Sequence, residues 1–377
     1  MSKPIINEIV HATNFPKIAE TRLEQIRFTM EDLKVDAVVV NHLPNIRYLT
    51  NFSGSSAVLF LTYEEIHFFT DDRYEEQIKT ELYSLPNMHI HITRDAWKYV
   101  KSKKILKKAS AIAFEADRMP YSEAVSVRNQ LRPLKFKPAT NLVERFTVPK
   151  SPEETQYIKS ACDLAVKTFD KVLKKVKPGV TEKELALDIT YYSRLFGSEG
   201  DPFEVIVTSG PRGAIVHGKP SDRIIKSGDI VIFDFGCIFN GFVSDITRTV
   251  AVGKATKDQK KLYKLLNHAK EEAISLVRPG MNGKTLDEIS RHIIKKEGYG
   301  EFFQHSLGHG IGLVAHEMPT ITFRMDDQIV PEHAVIAIEP GIYLPDKFGM
   351  RVEDNVQVTR SGGKHLTKAP DDLLVVG

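Results

Sequence analysis

The sequence predicts an α+β protein in two parts: an α/β domain over residues 1–140, a linker at 141–150, and a pseudo-symmetric α+β domain over residues 151–377. Three observations carry this reading. Residues 1–140 alternate helical and strand periodicities. A strong helix start stands at Ser151-Pro152-Glu153-Glu154, with an N-cap serine, proline at the first helical position and a glutamate at the third. Beyond it, one order of features (helix, Pro-Gly, capped helix, glycine stop, histidine) occurs twice, roughly 100 residues apart, as in duplicated folds. At 377 residues the chain is long enough to bury two cores.

In the first domain, Glu20 to Val35 reads as an amphipathic helix with Leu23, Ile26, Met30 and Leu33 on one stripe. Ala37–Val40 follows as a short buried strand. Asn45–Thr50 and Asn51–Ser56 read as a loop and a turn, and Ala57–Thr62 and Ile66–Thr70 as two strands joined by a polar turn. The alternation continues through Ala111–Phe114 to Pro138. This domain offers neither a phosphate loop nor a metal-like cluster of its own.

The first copy of the repeat is a helix from Pro152 to Lys175, then Lys177-Pro-Gly179, then a capping box at Thr181–Glu184 that opens a second helix. Gly197–Gly200 stops it, and Phe203–Thr208 follows as a strand. The second copy starts at a box over Thr256–Gln259 and passes Arg278-Pro-Gly280 to a box over Thr285–Glu288. Its second helix ends near Gly298-Tyr-Gly300, and Phe302–His305 follows as the β segment. The copies meet at a central sheet, and each delivers histidine at the matching place: His217 in the first, His305 and His309 in the second.

Composition narrows the function. A net charge of +3 gives no argument for a nucleic-acid or membrane partner, and the basic run Lys101–Lys108 reads as a solvated helix face. Cys162 and Cys237 sit among apolar neighbours, which suits reduced thiols in a cytoplasmic protein. No apolar run approaches the roughly 20 residues that span a bilayer, and the N-terminus, opening with Lys3, has no apolar signal core.

The chemistry lies between Asp234 and Glu353. Asp234, Asp245, His309, Glu339 and Glu353 each occupy an apolar or glycine-rich setting. An acid is costly there unless it is paired or binds a metal. Four carboxylates and an imidazole form a hard donor set without thiolate. That set suits manganese, cobalt, iron or zinc and balances the charge of two divalent cations. Such a pair lowers the pKa of a bridging water and supplies hydroxide at neutral pH. His217, His305 and His316 remain for substrate binding and proton transfer.

These motifs resemble the M24 or pita-bread metallopeptidases, a family that includes Xaa-Pro aminopeptidase (aminopeptidase P), Xaa-Pro dipeptidase (prolidase), methionine aminopeptidase and creatinase. Asn45–Gly54 and Phe69–Tyr74 resemble the creatinase/prolidase N-terminal domain, and residues 150–377 resemble the catalytic domain. The resemblance implies that Asp234 chelates one metal, that Asp245 and Glu353 bridge both, and that His309 and Glu339 complete the other shell. It implies a substrate contact for His217, flanking positions at the scissile bond for His305 and His316, and support of the site by Arg351. Arg248 matches a frequent family position, either in catalysis or paired with a neighbouring carboxylate. The chain departs from the family at Gly210-Pro-Arg-Gly-Ala-Ile-Val-His217, where Arg212, Gly213 and Val216 replace usual residues. The expected activity is aminopeptidase P-like: release of the residue before proline by a metal-bridging hydroxide, from a peptide with proline at its second position. The alternatives are prolidase, methionine aminopeptidase and a non-catalytic binding protein on the same scaffold. The resemblance also implies two divalent ions, manganese first among them, and a homodimer.

Overall fold

A computed structural model describes residues 15–377, so the N-terminal reading around Lys3 lies outside the described residues. The chain divides into two compact units, Met1–Phe146 and Thr147–Gly377, and the division falls within 141–150. Among the described residues no helix is long and apolar enough to cross a membrane.

Unit 1 contains helices α1 (Phe15–Leu33), α2 (Leu43–Thr50), α3 (Ile78–Glu81), α4 (Ala96–Ser102) and α5 (Tyr121–Gln130). Its strands are β1 (Ala37–Val40), β2 (Ala57–Thr62), β3 (Ile66–Thr70), β4 (Met88–Ile92), β5 (Ala111–Glu115) and β6 (Lys135–Ala139). They form one mixed sheet in the order β4-β3-β2-β1-β5-β6. The alanine and valine run of β1 is buried throughout, because β1 lies in the interior of the sheet.

One expectation for this unit needs correction. Residues 45–50 are not a loop but most of α2. The N-terminus of α2 has no side-chain cap of its own. The carboxylate of Glu115, at the end of β5, accepts instead from the backbone N–H of Asn41 at 2.7 Å and of His42 at 2.9 Å. Donors that lack helical partners are thus satisfied by a residue distant in sequence, which local patterning cannot reveal. β3 and β4 pair in parallel with His67 opposite His89 and Phe69 opposite His91, which stacks three histidine rings in a ladder on one face of the sheet edge.

Unit 2 contains helices α6 (Pro152–Leu173), α7 (Glu182–Phe196), α8 (Lys257–Leu276) and α9 (Gly283–Lys296). Its strands are β7 (Ile206–Ser209), β8 (Ile230–Phe235), β9 (Ile238–Phe239), β10 (Phe242–Val243), β11 (Ile246–Val252), β12 (Met281–Asn282), β13 (Gly308–Gly310) and β14 (Glu317–Ile321). They continue with β15 (Ile329–Val330), β16 (Val335–Ile338), β17 (Gly341–Leu344), β18 (Phe348–Arg351), β19 (Asp354–Thr359), β20 (Gly362–His365) and β21 (Leu374–Val376). The first copy of the repeat packs α6 and α7 against the sheet β21-β11-β8-β7. The second packs α8 and α9 against the sheet β14-β13-β16-β19-β20. This is the α+β pita-bread architecture.

The capping boxes at Ser151, Thr181 and Thr256 form as read, with both reciprocal hydrogen bonds, and Gly197 ends α7 in the left-handed region at φ 112°. The fourth box does not form. α9 starts earlier, because the side chain of Asn282 accepts from the N–H of Lys284 at 2.7 Å and captures the cap position. Phe302–His305 is likewise not a strand. Arg291 donates to the carbonyls of Phe303 and His305, each at 2.8 Å, and binds them to a side chain rather than a ladder.

Burial pushes the Glu115 carboxyl up from 4.5 to about 7 against its hydrogen bonds. A raised folded-state pKa contributes stability below the unfolded value that is lost as pH rises through the folded one, here from 4.5 to about 7. Glu115→Gln should flatten the fall in unfolding free energy over that window by on the order of 3 kcal/mol. Urea denaturation of both chains across it provides the check, and parallel pH profiles would contradict the assignment.

Candidate metal centre and active site

The nine site residues singled out from the sequence all line one cavity of about 500 Å³ in unit 2. Strand ends put them there. Asp234 lies near the end of β8 and Asp245 just before β11, in adjacent antiparallel strands. His309 is central in β13, Glu339 follows β16, and Glu353 joins β18 to β19. β13 packs so closely on β16 that a Cβ at Gly308 would come within 1.9 Å of the Ala337 carbonyl oxygen. Only glycine allows that approach, which brings His309 beside Glu339. The two copies are joined where the N–H of Glu353 donates to the Thr247 carbonyl at 3.1 Å and the Thr247 hydroxyl donates to Glu353 Oε2 at 2.8 Å.

His309 Nδ1 donates to the Gly310 carbonyl at 3.0 Å, and burial pushes the ring down to about 3. The ring is therefore neutral, and its Nε2 lone pair faces Asp245 Oδ2 at 3.8 Å and Glu339 Oε1 at 3.6 Å. Lone pairs facing carboxylates repel unless a cation lies between them. Burial first, and then the neighbouring carboxylates, raise Asp245 and Glu339 well above the usual range and Glu353 to about 8. Asp245 Oδ1 and Glu353 Oε1 are buried without a hydrogen-bond partner. Asp245, His309 and Glu353 stand close enough to share one ion. Orphaned acceptors, an oriented imidazole and mutual repulsion all fit a divalent metal.

Among the described residues, one cation faces this cluster from inside. The Arg351 guanidinium bonds Asp234, approaches Glu339 at 3.8 Å and donates to the Tyr343 hydroxyl at 2.6 Å. His305 Nδ1 donates to the Ser306 carbonyl at 2.8 Å, leaving Nε2 to accept from the Tyr343 hydroxyl at 2.9 Å. Burial pushes His305 down to about 3, so it stays neutral with both nitrogens engaged. His316 packs against His309 with the ring centroids 4.1 Å apart and the planes tilted by 39°, and burial lowers its pKa as well. His217 is exposed at the rim.

Arg248 lies outside the cavity lining. It donates to Asp354 Oδ1 at 2.7 Å and to the Glu353 carbonyl at 2.6 Å, which resolves its two sequence readings in favour of pairing. Glu271, Asp354 and His365 also gather closely enough for a metal. There the buried Lys270 ammonium already bonds Asp354, Glu271 and Asp371, so the cluster carries its own cations. Sequence reasoning missed Thr247, Tyr343 and the rim residues Glu204, Lys219 and Arg324. Thr247, two residues after Asp245 in a strand, was the one with a periodicity signal.

Comparison with known proteins agrees with the geometry. The family model for metallopeptidase family M24 matches residues 156–360, and that for the creatinase/prolidase N-terminal domain matches residues 22–146. Xaa-Pro dipeptidase of Pyrococcus furiosus is 34% identical over 357 residues, 94% of this chain and 99% of that protein. Among solved structures, Xaa-Pro dipeptidase from Bacillus anthracis superposes with TM-score 0.89 at 33% identity, covering 95% of this chain and 100% of that one. X-Pro aminopeptidase from Thermotoga maritima does so with TM-score 0.86 at 33% identity, covering 94% and 99%.

With Glu353 pushed up to about 8, the metal-free chain should lose stability as pH rises from 4.5 toward 8. Glu353→Gln should raise the Tm of the chelator-stripped chain near pH 8 by roughly 2–4 °C. The same variant should lose most of the Tm increase that Mn²⁺ gives the parent chain. Equal metal-induced shifts in the two, by differential scanning fluorimetry, would remove Glu353 from the ligand set.

Proposed function

The chain belongs to metallopeptidase family M24, and we propose that it hydrolyses the Xaa-Pro bond of short peptides, with Xaa-Pro dipeptides preferred. The observation that carries this reading is the cavity itself. Its floor is the cluster of acids and imidazoles, and Phe203, Val205, Ile206 and Val216 add apolar wall. A pyrrolidine ring needs such a wall, and it brings no amide N–H that would require a partner.

Asp234, Asp245, His309, Glu339 and Glu353 would hold two divalent ions, manganese being the first to test. Bound there, the ions supply Lewis acidity and lower the pKa of bound water. The remaining work belongs to side chains. Arg351 fixes Asp234 and, through Tyr343, the His305 ring. With both nitrogens engaged, His305 serves as a wall that orients the substrate. His316, neutral beside His309, and His217 at the rim would donate N–H bonds to the scissile carbonyl as it gains charge; their lining of the cavity supports this.

The choice between dipeptidase and aminopeptidase turns on the rim. Lys219 and Arg324 line it, both exposed, with Lys219 2.8 Å from Glu204. A dipeptide carries its free carboxylate on the proline, one residue beyond the cleaved bond, and a longer peptide has no charge there. The rim cations therefore favour the dipeptide, while the relatives include both a named Xaa-Pro dipeptidase and a named X-Pro aminopeptidase at the same identity. The aminopeptidase P-like reading is favoured by the exposure of that same rim, which leaves room for a longer chain. A homodimer completes the proposal, with light scattering as its check.

Alanine release from Ala-Pro and from Ala-Pro-Ala, followed with the Mn²⁺-loaded chain, decides the length preference. Ala-Pro should be the better substrate, and Arg324→Ala should raise its KM roughly tenfold, the equivalent of about 1.4 kcal/mol, with little change in kcat. Preference for the tripeptide, unchanged by Arg324→Ala, would establish the aminopeptidase. Asp245→Ala should abolish turnover of both.

A further inference from the structure

Arg212, Gly213 and Val216 lie in the loop between β7 and β8, and the same loop carries His217 and Lys219 to the cavity. Both feet of this loop are fastened to one carboxylate. Glu182, in the first turn of α7, is fully buried. Its Oε1 accepts from the N–H and from the hydroxyl of Ser209, both at 2.8 Å. Its Oε2 accepts from the N–H of Ser221 at 3.0 Å and from the hydroxyl at 2.6 Å. The N–H groups of Glu182 and Lys183 donate to the carbonyls of Arg223 and Ser221, each at 3.2 Å. A buried acid needs a full set of donors. Here the donors are the two ends of the loop, so satisfying the acid closes the loop.

Arg212 ties the middle of the loop to the same anchor. Its Nε donates to Glu182 Oε2 at 3.1 Å, and its Nη2 donates to the Lys219 carbonyl at 2.6 Å. The guanidinium is a rigid fork, so the two bonds hold their acceptors in fixed directions. Val216 and His217 lie between the residues it joins. On its other side the loop lies against β18, where a Cβ at Gly349 would stand 1.9 Å from the Gly213 carbonyl oxygen. There Arg351 Nη1 donates to the Val216 carbonyl at 3.3 Å. The backbone that leads into His217 is therefore held by Arg351 on one side and by Arg212 on the other, although the His217 side chain is exposed.

We propose that Arg212 is a positioning residue for the peptidase, a clasp that draws the loop onto Glu182 and sets His217 and Lys219 at the rim. The proposal rests on the reading that His217 donates to the scissile carbonyl. Misplacing a catalytic group by roughly 1 Å can cost on the order of 100-fold in rate. Loss of His217 alignment falls on kcat, because that bond strengthens as the carbonyl gains charge. Loss of Lys219 alignment falls on KM, because a substrate carboxylate carries its charge throughout the reaction. Without Arg212 both feet of the loop stay fastened to Glu182, so its removal loosens the loop and leaves the sheet intact.

The test is a double-mutant cycle on Ala-Pro with Mn²⁺-loaded parent, Arg212→Ala, His217→Ala and the double variant. Arg212 is half-buried and makes its bonds within the loop and to Glu182, so the variant should fold, which its Tm verifies. Arg212→Ala should lower kcat about tenfold, less than the roughly 100- to 1000-fold of losing an oxyanion donor outright. In the His217→Ala background it should lower kcat no further, because it acts through His217. An equal loss in both backgrounds would overturn the proposal, as would an Arg212→Ala chain with the kcat of the parent. Failure of the functional reading shows differently, as a parent that releases no alanine or a His217→Ala chain with undiminished kcat. Amide hydrogen exchange then decides the clasp by itself. Residues 211–219 should exchange about tenfold faster in Arg212→Ala than in the parent, and equal rates would overturn it.

Discussion

Electrostatic repulsion among buried acids is the constraint around which unit 2 is built. Asp234, Asp245, Glu339 and Glu353 converge from four strand ends, and Arg351 alone among the described cations reaches into their midst. Side chains in that position would separate if their backbones could move. They are held because each is anchored in or beside a strand whose main chain is paired with another, and because the two copies of the repeat bind one another at Thr247 and Glu353. The fold thus contributes a geometry that these side chains would not adopt by themselves.

A second layer of charge lies behind the first. Asp354, next to Glu353, is held below the usual carboxylate range despite its burial by Arg248 and Lys270, and hydrogen bonds from His365 and Lys270 add to this. His365 is correspondingly raised to about 9 by Asp354 and Glu271. The contrast between neighbouring acids follows from their partners. Asp354 has cations and remains ionised, whereas Glu353 has carboxylates and is pushed up. Because Arg248 also binds the Glu353 carbonyl, the balanced layer fixes the backbone of the unbalanced one.

Much of this was legible in the sequence, and the gaps have a common cause. Acids within apolar runs announced the buried acid cluster, since burial without compensation is costly. The repeat showed in its capping boxes because caps are local chemistry, readable within four residues. The errors arose where a distant partner outweighed a local signal. Glu115 caps α2 from another strand, Asn282 takes the cap position from Thr285, and Arg291 claims the carbonyls of Phe303 and His305. The histidine ladder escaped notice for the same reason, since only strand pairing brings His67 to His89.

At the start of unit 2, the Lys150 ammonium bonds the carbonyls of Thr147 and Val148 and forms a buried pair with Glu317 at 2.6 Å. Glu317 in turn accepts from the N–H of Leu313 at 3.2 Å and directly follows His316. Residues 147–150 are therefore a strut beneath one wall of the cavity. Anyone trimming the chain to its second half, permuting it or fusing a reporter at this junction would be cutting into the foundations of the active site. The safe boundary lies on the N-terminal side of Thr147.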